Sequence, residues 1–142
     1  MHIQRFAHGR WIVTVAAASL LPAVSALADP ALPTIPANTF TVPAATGVVA
    51  TDTSNITNTI TAAKNAGGGT VVVPAGTYLS NQFALSSNIN LHLNSGAIIS
   101  NNAPTSTLIQ TSGTLHYIEI TGIGIIDDRS TGTPTALTLA SL

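Results

Sequence analysis

The apolar positions of this chain change their period at one point, Gly67-Gly68-Gly69. Before the glycines, Ile56, Ile60 and Ala63 follow one another at i, i+4 and i+7, with Asn58, Thr61, Lys64 and Asn65 between them. That spacing predicts one amphipathic helix with a single apolar stripe. Asp52, Thr53 and Ser54 are its candidate N-terminal acceptors, and Lys64 favours the negative end of its dipole. The glycine triplet supplies a left-handed stop. Because its Thr and Asn residues are poor helix formers, the helix is expected to form only when docked on an apolar surface.

After the glycines the period is that of strands. Short runs are predicted at residues 71–73, 77–79, 82–85, 89–93, 97–99, 108–110, 117–121 and 124–127. In the run 88–94 the alternation is complete: Ile89, Leu91 and Leu93 share one face, and Asn90 and His92 share the other. Such strands build a sandwich, a barrel or a parallel β-helix. Three features favour the last. Asparagines at 81, 88, 94, 101 and 102 recur near strand ends, where tolerance of left-handed geometry suits corners. Asn-Gly and Asp-Gly hairpin dipeptides are absent. A helix ahead of the first strand supplies a plug for an open solenoid end. Upstream, residues 29–50 hold prolines at 30, 33, 36 and 43 and read as an extended leader.

The first 28 residues form a separate unit. Arg5 and Arg10 precede the uncharged run from Trp11 to Val24, and Ala26-Leu27-Ala28 makes an A-x-A site. This is the pattern of a signal peptide cleaved between Ala28 and Asp29, with a retained signal anchor as the alternative. It predicts a secreted or periplasmic product without a membrane anchor. Residues 29–142 then carry Lys64 and Arg129 against Asp29, Asp52, Glu119, Asp127 and Asp128, a net charge of −3. Charged residues make up only 6% of the chain, against about 25% in an average soluble protein. Electrostatic capture of nucleic acid or acidic lipid is therefore not expected. There is no cysteine, so disulfides contribute nothing to stability.

The phrases AGGGTVVVPAGTYLS, FALSSNINLHLNSGAIIS and YIEITGIGIIDD resemble the N-terminal part of glycoside hydrolase family 28, the polygalacturonases. The helix and the first phrase are shared with the wider pectin lyase-like superfamily. Leu93-Asn94-Ser95-Gly96-Ala97 looks more specifically like the glycosidases, and Gly122-Ile123-Gly124-Ile125-Ile126-Asp127 resembles their G-x-G-x-I-D-G, with Asp128 replacing the last glycine. The resemblance covers roughly residues 51–128. It implies an all-β fold, a right-handed parallel β-helix begun by an amphipathic capping helix over 51–142. It also implies inverting hydrolysis of pectic polysaccharide without a required metal or other cofactor.

The family's catalytic motifs, Asn-Thr-Asp, Asp-Asp-Cys, Gly-His-Gly and Arg-Ile-Lys, do not occur in the sequence. The expectation is accordingly an N-terminal portion that is inactive alone, and the uncharged ending at Leu139, Ala140 and Leu142 is read as truncation. A non-catalytic β-helix that binds polysaccharide or serves as a structural module is the alternative. The lyase branch would need calcium-binding acidic clusters, which are missing.

No residue is assigned a catalytic role. Asp127 and Asp128 form the one adjacent carboxylate pair, but neighbours on a strand point to opposite faces, so a corner or capping role is preferred for Asp127. His92 and His116 lack further ligands at metal spacing and are expected on the surface. Glu119 alternates with Ile118 and Ile120 and should point outward. The glycine triplet follows a helix and precedes a strand, the reverse of a phosphate loop. Asn55-Ile56-Thr57 is a formal glycosylation sequon.

Overall fold

A computed structural model describes residues 34–103, 106–111 and 114–129 and the backbone of 137–138. All belong to the compact unit Leu32–Leu142; the unit Met1–Ala31, with the signal-peptide reading and the Ala28–Asp29 cleavage, lies outside the described residues. Strands dominate. They run β1 (Thr39–Thr41), β2 (Gly69–Val73), β3 (Gly76–Ser80), β4 (Phe83–Leu85), β5 (Ile89–Leu93), β6 (Ala97–Asn101), β7 (Ile109–Thr111), β8 (Ile118–Gly122), β9 (Ile125–Asp127) and β10 (Leu137–Thr138). One helix, α1 (Val49–Asn65), separates β1 from β2. Among the described residues no helix is long and apolar enough to cross a membrane.

The strands form three parallel sheets in the orders β1-β2-β5-β8, β3-β6-β9 and β4-β7-β10. From β2 onward, successive strands along the chain therefore enter successive sheets. Registers agree between sheets: Val71 pairs with Leu91 and Leu91 with Ile120 in the first, while Ile99 lies between Tyr78 and Ile126 in the second. Each inward column is consequently built of like residues, and Val71, Val73, Leu91, Leu93, Tyr78, Ile99, Phe83 and Ile109 make one buried core. Burial thins at the third row, where Ile120 is 37% exposed.

The α1 stripe is the predicted one, since Ile56, Ile60 and Ala63 are buried. Burying each isoleucine contributes about 1.5–3 kcal/mol, which offsets the poor intrinsic propensity. Its start differs from the sequence reading. The helix begins at Val49, and its N-cap residue Val48 makes no side-chain cap hydrogen bond. Asp52 instead sits a full turn inside, on the buried stripe. At the other end Gly67 has φ +85°, and the N–H groups of Ala66, Gly67 and Gly68 satisfy the carbonyls of Ala62, Ala63 and Lys64.

Two further differences arise in the backbone. The proline-containing leader contributes β1, which joins the first sheet at its edge, where missing N–H donors are tolerated. Of the corner asparagines only Asn88 adopts a left-handed conformation, at φ +61°, while Tyr117 does so at +59° without a sequence signal. The remaining corners use glycine or ordinary backbone.

Candidate functional site

Parallel register in the first sheet sorts its outward side chains into two rows. Thr39, Thr70, Asn90 and Glu119 form one; Thr41, Val72, His92 and Thr121 form the other. Adjacent strands lie about 4.8 Å apart, so neighbouring polar groups reach one another. The Thr121 hydroxyl donates to Asn90 Oδ1 at 2.9 Å, and His92 Nδ1 lies 2.8 Å from the same hydroxyl oxygen. A hydroxyl has one proton to give. With that proton on Asn90, His92 must donate from Nδ1, leaving Nε2 as its acceptor nitrogen. The outer face thus presents an ordered hydrogen-bonding strip beside the Glu119 carboxylate.

The carboxylate pair is bound to the preceding strand of the second sheet. Asp127 Oδ2 accepts from the Ser100 hydroxyl at 3.2 Å and lies 3.8 Å from Arg129 Nε. Asp128 Oδ1 accepts from Asn101 Nδ2 at 2.8 Å. Ser100 and Asn101 are both buried, and Asn101 also spans the next turn through Ser106 O and Ala103 N–H. The two acids hold the end of β9 against β6. Asp127 Oδ2 and Asp128 Oδ1 are thus engaged by residues of the preceding strand.

His116 stands apart from His92. Its N–H donates to Ser87 Oγ at 3.1 Å and its ring tilts across Tyr117 with centroids 5.9 Å apart. Among the described residues no group of three His, Cys, Asp or Glu side chains is arranged for a metal.

Asp52 is heavily engaged and fully buried. Its Oδ1 accepts from the Thr46 N–H at 2.8 Å and the Thr46 hydroxyl at 2.7 Å. Its Oδ2 accepts from the N–H groups of Gly47 and Leu79, each at 3.1 Å. Desolvation by burial would raise its pKa, but the bonds from Thr46, Leu79 and Gly47 outweigh it and hold the carboxyl below its ordinary value. Thr53 adds a second tie, giving its hydroxyl proton to Val49 O and accepting from the Asn81 N–H. The nearby Tyr78 is also fully buried, and burial together with the Asp52 charge raises the pKa of its hydroxyl. These residues fasten α1 to β3, and Asp52 and Tyr78 are withdrawn from solvent.

Comparison with protein-family models, curated proteins and solved structures finds no match.

The motif glycines at 122 and 124 have a clear place. A Cβ at Gly122 would stand 2.0 Å from Leu93 O, and one at Gly124 would stand 2.6 Å from Leu93 Cβ. They let the chain pass directly over Leu93. Sequence reading located the motif but not this reason, which depends on a register that only stacking of β8 on β5 creates.

Proposed function

We propose that residues 34–129 are the capped beginning of a right-handed parallel β-helix of the polygalacturonase-like kind, exported and acting as scaffold, not as catalyst. The observation that carries this reading is the common parallel register of three sheets around one core, with α1 packed on the same core. The close passage of Gly122 and Gly124 over Leu93 supports it further, because it gives the family-like phrase a purely structural task. On this reading, hydrolysis of pectic polysaccharide belongs to members of that family that carry the acid motifs absent from this sequence. The test is release of reducing ends from polygalacturonate by the purified protein. No release above a protein-free blank is expected; steady release that disappears in Asp127→Asn or Asp128→Asn would overturn the assignment.

The outer strip of Asn90, His92, Glu119 and Thr121 favours a second reading, a polysaccharide-binding face without catalysis. Neutral hydroxyl-rich ligands suit such a strip because it offers donors and acceptors with little charge. Retardation of the protein in native gels containing highly methyl-esterified pectin, a near-neutral polysaccharide, without hydrolysis, would select this reading.

A further inference from the structure

The two ends of the stacked sheets are finished differently. At one end the edge strands are β1, β3 and β4, one from each sheet, and α1 packs against all three. At the other end they are β8, β9 and β10, and the described residues hold no second helix to lie over them. Inward positions there are correspondingly uncovered. Ile118 and Ile120 continue the columns of the fully buried Ile89 and Leu91, yet Ile118 is only half-buried and Ile120 is 37% exposed. Ile126, which continues the column of the fully buried Ile99, is likewise half-buried. An edge strand also leaves the N–H and C=O groups of its outer side without ladder bonds, a template for another strand.

The sequence of β8 indicates what fits that edge. Residues 118–122 read IEITG. Set against a reversed copy of itself about Ile120, the strand places Ile118 across from Gly122 of the partner subunit and Glu119 across from Thr121 of the partner subunit. A large side chain then meets the smallest, and a carboxylate meets a hydroxyl. The two Glu119 residues stand on a diagonal, about 7–8 Å apart, whereas a register centred on Glu119 would oppose like charges directly. Opposed residues of an antiparallel pair share a face, so Ile118 and Ile120 stay inward and the two cores become continuous.

We propose that this end is an interface with a second copy of this chain, formed by antiparallel pairing of the two β8 strands about a two-fold axis at Ile120. Such a contact uses the same patch on both copies and closes as a dimer. Head-to-tail stacking is obstructed, because α1 packs on every edge strand of the opposite end. The inference rests on sheet order and register, and not on the scaffold reading.

Sedimentation of the purified protein should show a reversible monomer–dimer equilibrium with a dissociation constant on the order of 10 μM, in the range of small, transient contacts. Ile120→Lys sets two ammonium groups against each other at the axis and should weaken association at least about tenfold. The sequence has no cysteine, so Ile120→Cys tests the register without depending on how Ile120→Lys folds. A residue that opposes itself lies about 4.5–5.5 Å from its copy between Cα atoms, within disulfide reach. Mild oxidation should therefore yield a covalent dimer of Ile120→Cys, while Glu119→Cys, on the diagonal, should cross-link far more slowly. A protein that stays monomeric, the result if residues 130–142 cover this end, would overturn the proposal. So would open-ended assemblies, unchanged association of Ile120→Lys, or equal cross-linking of the two cysteine variants. No hydrolysis enters the readout, so its outcome is separate from that of the polygalacturonate assay.

Discussion

Replacing Asp52 by alanine removes the acceptor for four hydrogen bonds at once, and the consequences can be followed donor by donor. Thr46 and Gly47 lie on an exposed loop, where water replaces the carboxylate, so each lost bond costs about 0.5–1 kcal/mol. Leu79 N–H points into the interface between α1 and β3, and leaving it without a partner costs about 1–3 kcal/mol. Together the three loop bonds and the Leu79 bond give a loss of about 2.5–6 kcal/mol, a large part of the roughly 5–15 kcal/mol typical of a domain. At 4–8 °C per kcal/mol the melting temperature should fall by at least roughly 10 °C. Thermal unfolding followed by far-UV circular dichroism reads this directly. The pH dependence provides a second check with a fixed sign. Because the folded carboxyl titrates below its ordinary value of 3.8, its contribution is fully present above that pH and is lost as pH falls through the lower folded value. The gap between the native protein and Asp52→Ala should therefore close on acidification below about pH 3.8. An Asp52→Ala melting temperature within about 2 °C of the native value at neutral pH would refute the reasoning.

Two glycines separate backbone strain from steric exclusion. Gly47 has φ +73° with open space around it, so Gly47→Ala should cost about 1 kcal/mol. Gly122 combines φ +102° with a 2.0 Å approach to Leu93 O, so Gly122→Ala should cost at least about 3 kcal/mol in urea unfolding; equal costs would contradict the stacking of β8 on β5. On the outer face, nitrogen-15 spectra of neutral His92 should show the Nδ1-protonated tautomer, and Thr121→Val should release that preference. An Nε2-protonated ring in the native protein would mean that Thr121 donates to histidine and not to Asn90.

Periodicity revealed the elements because it records burial, and burial is what the parallel sheets enforce. The alternation at 88–94 placed Asn90 and His92 outward and Ile89, Leu91 and Leu93 inward, as the structure has them. Asp52 was misread for a related reason. It precedes Ile56 by four residues and so lies on the same stripe, but its carboxylate suggested a solvated helix start instead of a buried anchor. What makes burial tolerable is a set of donors from Thr46, Gly47 and Leu79, the last distant in sequence. No local pattern announces such a convergence. The same holds for Ser100 and Asn101, whose partners Asp127 and Asp128 arrive only when β9 stacks on β6. β1 was hidden by the flanking Pro36 and Pro43, which confine a strand to the few residues between them.

The row-on-row register also bears on how the chain reaches this state. Asn90 meets Thr70 behind it and Glu119 ahead of it, so each strand's partners are the strands one row away and never the far end of the chain. Loop closure is therefore a series of similar, moderate steps instead of one long search. β1, α1 and β2 come first in sequence and give the next row a template edge, so structure can grow in one direction along the chain. Asp52, which ties α1 to β3, then acts at the nucleus, and its loss should slow refolding more than it speeds unfolding.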